Sequence, residues 1–169
     1  MKTSWFVSIL VVLVGGFFAS PLVAQDNLVR FKGGIGVIPV SNVVVNATTG
    51  AITVNRNIVR GVQPAGQIWV ISDLDATIKT NGDIKIDGRG LVLGGGSNIG
   101  TASDNSVIAT LLCEDIQHSS GVVPLEPNGD FKIDDVLTPL PPNPCTNPVL
   151  LIRSSGNGNW FAAGIPELK

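Results

Sequence analysis

The chain has 169 residues, with 11 basic and 13 acidic side chains and a formal net charge of −2. This mildly acidic balance, without a basic cluster, disfavours nucleic acids and anionic membranes as partners. Twenty glycines and eleven prolines interrupt the sequence at short intervals, and helical periodicity is nearly absent. The composition therefore favours a domain built from short β-strands.

The N-terminal segment has the order of a secretory signal peptide. Lys2 supplies a positive charge, residues 5–19 are uncharged and mostly apolar, and the small residue Ala24 precedes Gln25. The apolar run is shorter than the roughly 20 residues that cross a bilayer as a helix, so an uncleaved anchor is the weaker interpretation. We predict a signal peptide at 1–24.

The remaining residues, 25–169, are long enough to bury a hydrophobic core of their own. We predict that they form a single β domain that is secreted or periplasmic and is not embedded in a membrane after cleavage of the signal peptide.

Short runs rich in Val, Ile and Thr alternate with turn-forming residues along the chain, a pattern typical of many short strands. The clearest runs lie at 28–31, 35–40, 58–62, 67–72, 74–79, 83–87, 91–93, 107–113, 122–126, 130–134, 149–153 and 160–163. Their number predicts an all-β fold, an antiparallel β-sandwich with Greek-key or jelly-roll-like connections.

The two cysteines, Cys113 and Cys145, predict a disulfide, because an even pair in an exported chain is normally oxidised. Closing this loop would restrict the unfolded chain by about 3.5–4 kcal/mol in the chain-entropy model. A metal site or a nucleophilic cysteine is the alternative, but neither residue has a His or Cys neighbour in a ligand spacing. The bond would fasten the proline-rich loop 138–148 to the end of a strand.

A seven-residue motif occurs twice, as Asn-Gly-Asp-Ile-Lys-Ile-Asp at 81–87 and Asn-Gly-Asp-Phe-Lys-Ile-Asp at 128–134. Each copy lies between alternating segments, which predicts two β-hairpins with three-residue loops and positive φ at Gly82 and Gly129. This loop length places the apolar residues of each hairpin on one face. The predicted pairs are Lys79/Asp83, Ile78/Ile84 and Ala76/Ile86 in the first hairpin, and Leu125/Phe131 and Val123/Ile133 in the second. The repeat arose by duplication or as two independent hairpins, and seven positions do not decide between them.

Candidate catalytic and nucleotide-binding groups are few. His118 is the only histidine, and neighbouring serines on a loop rarely form a nucleophile–base pair, so we interpret it as a solvated loop residue that can be replaced without loss of fold. The runs Gly33–Gly36 and Gly94–Gly96 lack the spacing of phosphate-binding loops, and no helix follows them.

Acidic residues raise the possibility of a structural calcium site, although no EF-hand loop is present. In the predicted register Glu126 faces Asp130, a like-charge pair that a cation would relieve. The other acidic and amide residues that could contribute ligands are Asp73, Asp75, Asp83, Asp87, Asp104, Asn105, Asp134 and Asp135. Solvated acids on outer strand faces are the simpler interpretation.

Two tryptophans lie beyond the signal segment. Trp69 stands in an apolar run and is expected in the core, whereas Trp160 follows a Gly/Asn-rich stretch and could stack on a sugar if it were exposed. A sugar platform normally uses several aromatic residues, so packing is the preferred interpretation for both.

The sequence predicts no catalytic residue, no metal ligand and no cofactor. The leading hypothesis is an exported non-catalytic β-sandwich protein, either structural or recognising an extracellular or periplasmic partner through loops or a sheet edge. A small-ligand or glycan-binding module and an enzyme with an unrecognised site are the alternatives.

Overall fold

The computed structural model of the protein describes residues 26–103 and 105–167. The predicted signal peptide at 1–24 and its cleavage point lie outside these residues. Within them the protein is all-β, with thirteen strands and no helix.

The strands are β1 (Asn27–Gly36), β2 (Val40–Val45), β3 (Ile52–Arg56), β4 (Trp69–Val70), β5 (Asp73–Lys79), β6 (Asp83–Arg89), β7 (Val92–Leu93), β8 (Ser106–Cys113), β9 (Ile116–Ser119), β10 (Val123–Pro124), β11 (Phe131–Val136), β12 (Val149–Ser154) and β13 (Trp160–Pro166).

Nine strands form one antiparallel sheet in the order β11-β6-β5-β1-β13-β12-β8, with β9 and β10 along the remaining edge of β8. Two pairs, β2-β3 and β4-β7, form small separate sheets. The all-β, antiparallel prediction is therefore confirmed.

The large sheet curls on itself. Its end strands β10 and β11 are consecutive in the chain and joined by one tight turn, in which the amide of Glu126 donates to the carbonyl of Asp130 at 2.9 Å. At another point Ser119 and Thr138 exchange two backbone hydrogen bonds of 2.9 Å each. The layers of this sandwich-like fold thus belong largely to one curled sheet.

The core fills the concave side of the curled sheet. Strands β5 and β6 alternate buried and outward-facing residues, whereas β8 and β12 contain runs of consecutive buried residues. Trp69 and Phe161 stack within this core with ring centroids 4.1 Å apart. Burial of each large apolar side chain contributes about 1.5–3 kcal/mol to folding.

The first predicted hairpin is confirmed in register, loop and face. Ala76 pairs with Ile86 and Ile78 with Ile84, and all four side chains are buried. Gly82 has a φ of +85°. The three-residue loop therefore sets which face of the hairpin points to the core.

The second predicted hairpin is confirmed only at its turn. The amide of Gly129 donates to the carbonyl of Glu126 at 2.8 Å, and the φ of Gly129 is +85°. The predicted Val123/Ile133 pairing is wrong, because β10 pairs with β8 while β11 pairs with β6. After the turn the chain diverges to opposite ends of the curled sheet. The predicted face is nevertheless correct, since Ile133 is buried.

The two copies of the repeated motif are direct neighbours in this sheet. Ile86 pairs with Ile133, the residue at the equivalent position of the other copy. A local twofold axis therefore passes between these two residues. It brings each lysine to the aspartate of the other copy: the Lys85 Nζ–Asp134 distance is 3.0 Å and the Lys132 Nζ–Asp87 distance is 3.6 Å. The repeat is therefore self-complementary.

The predicted disulfide is present: Cys113 and Cys145 are bonded, with their Cα atoms 5.0 Å apart. Arg60 reinforces the same junction, because its guanidinium donates to the carbonyls of Glu114 and Asn147 on the two joined segments. Such a bond is consistent with an extracellular or otherwise oxidising compartment.

Candidate functional site

The structure places His118 in the interior, so its interpretation as a solvated loop residue is wrong. The residue lies on β9, which pairs with the end of β8 and turns the ring inward to 2% exposure. Its Nδ1 lies 2.8 Å from the carbonyl oxygen of Pro139; a carbonyl only accepts, so Nδ1 must donate. Nε2 is buried and has no hydrogen-bond partner among the described residues.

The serines beside His118 bond elsewhere. Ser119 Oγ lies 3.0 Å from Thr110 Oγ1, and Ser120 Oγ donates to the carbonyl of Gly121 at 2.9 Å. Within the described part of the chain no hydrogen bond joins the imidazole to either hydroxyl. The histidine therefore has a packing role in this geometry.

The acidic residues do not converge. Over residues 26–103 and 105–167 no group of three or more His, Cys, Asp or Glu side chains could hold a metal ion. Asp104 lies outside the described residues. The carboxylate of Asp130, one of the two acids for which a cation was considered, accepts hydrogen bonds from the Gly90 amide at 2.9 Å and from Asn128 Nδ2 at 3.0 Å.

Asp87 on the outer face is held as a carboxylate, since its hydrogen bond from Arg89 at 3.1 Å is the main cause that lowers its pKa. The charged side chains on the outer face of β6 and β11 thus pair with one another, as Lys85 does with Asp134 and Lys132 with Asp87.

Both tryptophans are packed in the interior, which confirms the interpretation preferred from the sequence. Trp160 is 4% exposed and its indole nitrogen donates to the carbonyl of Asn57 at 3.0 Å. The alternative of an exposed Trp160 that stacks on a sugar is wrong.

The feature that the sequence interpretation missed is a projecting hairpin, here called the arm: β2, β3 and the turn 46–51 between them. Every residue of both strands is exposed. The turn is closed by Asn46, whose side-chain oxygen accepts from the amides of Thr48 and Thr49 at 2.9 and 3.0 Å. The Asn-Ala-Thr-Thr-Gly sequence at 46–50 between two valine- and isoleucine-containing runs was the signal that could have identified it.

The arm has two chemically different faces. Val43 pairs with Val54 and Val45 with Ile52 on one face, which we call the apolar face. These four side chains are 54–68% exposed. The other face carries Asn42, Val44, Thr53 and Asn55, and Asn55 donates a side-chain hydrogen bond to Asn42.

The base of the arm is fixed to the domain. Arg56 Nη2 donates to the carbonyl of Pro64 at 2.9 Å, and the amide of Asn57 donates to the carbonyl of Pro39 at 3.0 Å. Asn57 in turn accepts the hydrogen bond from the buried Trp160. The arm is therefore presented in a defined direction from the core.

The arm also lacks the features that protect exposed strands from association. Residues 38–55 contain no charged side chain, and 40–56 contain no proline. In the described structure β2 and β3 pair only with each other. Two further exposed apolar residues, Ile38 and Ile68, line a groove with Val40 at its base. Exposed apolar strand surface of this kind is typical of interaction sites.

Comparison with known proteins identifies no relative: no protein-family model, curated protein or solved structure matches this chain. Among residues 26–103 and 105–167 no helix has the length and apolar character needed to cross a membrane.

Proposed function

We propose that this chain is an exported, non-catalytic structural protein whose arm associates with the arm of a second copy. The observation that supports this proposal is the exposure of the apolar face. Its four side chains are all more than half exposed: Val43, Val45, Ile52 and Val54. Two arms packed face to face would form a four-stranded miniature sandwich and remove these side chains from water.

A second copy suits this surface because the surface is self-complementary. A twofold axis would place Val and Ile of one arm against Val and Ile of the other, as isologous interfaces require. With no charge from residue 38 to 55, two arms do not repel each other, and a charged partner would find no counter-charge.

The free energy gained by burying the apolar face is large enough to support association. Eight half-exposed Val and Ile side chains would contribute about 8–15 kcal/mol on burial, against an association cost of about 4–15 kcal/mol. The arm alone therefore supports a weak dimer, and the apolar residues near its base would strengthen it.

Export is part of the same proposal. The apolar segment at 5–19 supports cleavage after Ala24, and the Cys113–Cys145 bond agrees with an oxidising compartment. Intact mass of the exported protein should correspond to a chain beginning at Gln25, and alkylation without reductant should add no label. Retention of 1–24, or two labelled cysteines, would contradict export.

The association is tested by sedimentation equilibrium of the full exported chain and of two neighbouring variants. Val54→Lys places a charge on the apolar face, whereas Thr53→Lys places the same charge on the opposite face. We expect a wild-type dimer, at least a 100-fold weaker dimer for Val54→Lys, and less than a threefold change for Thr53→Lys, because an unpaired ammonium is costly to bury.

Circular dichroism should show that both variants are folded, since each position is exposed. At a protein concentration about 100 times a micromolar dissociation constant, the wild-type protein should be mostly dimeric. A protein that remains monomeric at that concentration would refute a second copy as the partner. Equal weakening by both lysines would refute the assigned face.

A further inference from the structure

A second cleft, which borders the base of the arm at Gln67, is lined mainly by neutral polar groups. It lies between the segments 65–69, 97–98 and 154–161, is also lined by Ser103 and Asn105, and has a volume of about 400 Å³. Five carboxamide side chains line it, those of Gln67, Asn98, Asn105, Asn157 and Asn159. No charged side chain is found among the described residues of its lining. We call it the amide cleft.

Hydrogen bonds within the walls stiffen the cleft. On one side the amide of Gly94 donates to Ile68 and the amide of Gly100 to Leu93, both at 2.8 Å. On the other side the turn after β12 is closed by the Gly158 amide, which donates to the Ser154 carbonyl at 3.0 Å. Arg153 Nε donates to the Gly158 carbonyl at 2.7 Å. The walls are therefore largely preformed, which lowers the entropic cost of binding.

The amides themselves are available. In the described structure the side-chain groups of Gln67, Asn98 and Asn159 make no hydrogen bond within the protein, and all three are at least partly exposed. A carboxamide offers both donors and an acceptor, which matches the hydroxyl group, itself both donor and acceptor. Among the described lining residues no side chain would supply a counter-charge to an anion or cation.

The cleft also has an apolar boundary. The stacked rings of Trp69 and Phe161, with centroids 4.1 Å apart, belong to its lining. Both residues belong to the core and are only 5% and 4% exposed, so the cleft offers a ligand its amide groups, which match sugar hydroxyl groups, and not an aromatic stacking surface.

We infer that the amide cleft binds a neutral oligosaccharide, with Gln67, Asn98 and Asn159 as hydrogen-bonding residues. This inference does not depend on association through the arm, because the cleft and the apolar face share no residue.

Titration calorimetry of the exported chain with maltohexaose, cellohexaose and chitohexaose tests this, with polygalacturonate as the charged comparison. We expect at least one neutral hexasaccharide to bind and polygalacturonate to bind at least tenfold more weakly. The double variant Gln67→Ala/Asn159→Ala should weaken the neutral ligand at least tenfold. Asn42→Ala, which removes an exposed amide from the arm, should change its affinity less than twofold.

If the double variant is unfolded by circular dichroism, Asn98→Ala replaces it, because that side chain is exposed and makes no hydrogen bond in the described structure. Three results overturn the inference: no neutral saccharide binds at a few millimolar, polygalacturonate binds better, or the cleft variants bind as well as the wild type.

Discussion

Gly82 and Gly129 occupy equivalent positions in the repeated motif and allow a matched test of the fold. Both have a φ of +85°. Replacing either by Ala forces a side chain into the left-handed region, which costs about 1–2 kcal/mol. Any difference between the two variants must therefore come from what the new methyl group meets.

The surroundings of the two glycines differ sharply. At Gly82 the new Cβ would lie 2.7 Å from the Leu140 side chain, which is 60% exposed and can rotate away. At Gly129 it would lie 2.5–2.7 Å from backbone atoms of Leu91, a fully buried residue whose amide donates to the Gly129 carbonyl at 2.9 Å.

Gly82→Ala should therefore cost only the conformational penalty, about 1–2 kcal/mol. Gly129→Ala should cost about 3–6 kcal/mol, because two further costs are added to the conformational penalty. Weakening the hydrogen bond from the Leu91 amide costs about 0.5–1.5 kcal/mol, and strain in the packed core costs about 1–3 kcal/mol.

Urea unfolding of the disulfide-intact protein, followed by fluorescence of the two buried tryptophans, measures both values. The midpoints should separate while the slopes agree with the wild type. Equal destabilisation by the two substitutions, or a larger effect at Gly82, would refute the close approach of the 126–130 turn to Leu91.

Three further outcomes are expected. Ile133→Ala should lower the free energy of unfolding by about 2–5 kcal/mol. Lys132→Ala should change it by no more than about 0.5 kcal/mol, because the Lys132 side chain is 81% exposed. The reverse order in urea unfolding would contradict the assigned face of β11. His118→Ala should destabilise by about 2–4 kcal/mol, because it leaves a cavity and removes the hydrogen bond to Pro139; unchanged thermal unfolding would refute this packing role. The pKa of Asp135 is lowered below 3.8, first by the hydrogen bond from the Gly121 amide. Its stabilising effect is therefore present above the unfolded-state pKa and is lost as the pH falls through the lower folded-state pKa. The stability advantage of the wild type over Asp135→Asn should accordingly be full near about pH 7 and shrink below about pH 4, and a thermal-unfolding difference that does not depend on pH would contradict it.

The features that the sequence predicted correctly are those set by local chemistry. Strand alternation has a period of two, so a three-residue loop at 80–82 allows only one register that keeps Ile84 and Ile86 on the same face as Ala76 and Ile78. The same argument places Ile133 inside, whichever strand lies beside it. The cysteine pair was also predictable, since the sequence predicts export and a chain with two cysteines can form only one intramolecular disulfide.

Strand partnership, in contrast, depends on how the whole sheet closes. Nothing within 121–136 indicates that β10 pairs with β8 while β11 pairs with β6, because either arrangement buries the same side chains. His118 is buried for a similar reason: β9 pairs with the end of β8, and its ring packs toward Pro139 from a distant loop.

The arm and the amide cleft were decided only by tertiary structure. The valines at 43–45 would suit a core strand equally well, and their exposure follows because no layer of the domain covers β2 and β3. The cleft gathers Gln67, Asn98 and Asn159 from three separated segments. Local sequence determines which face of a strand is apolar, but only the packing of distant strands determines whether that face is covered.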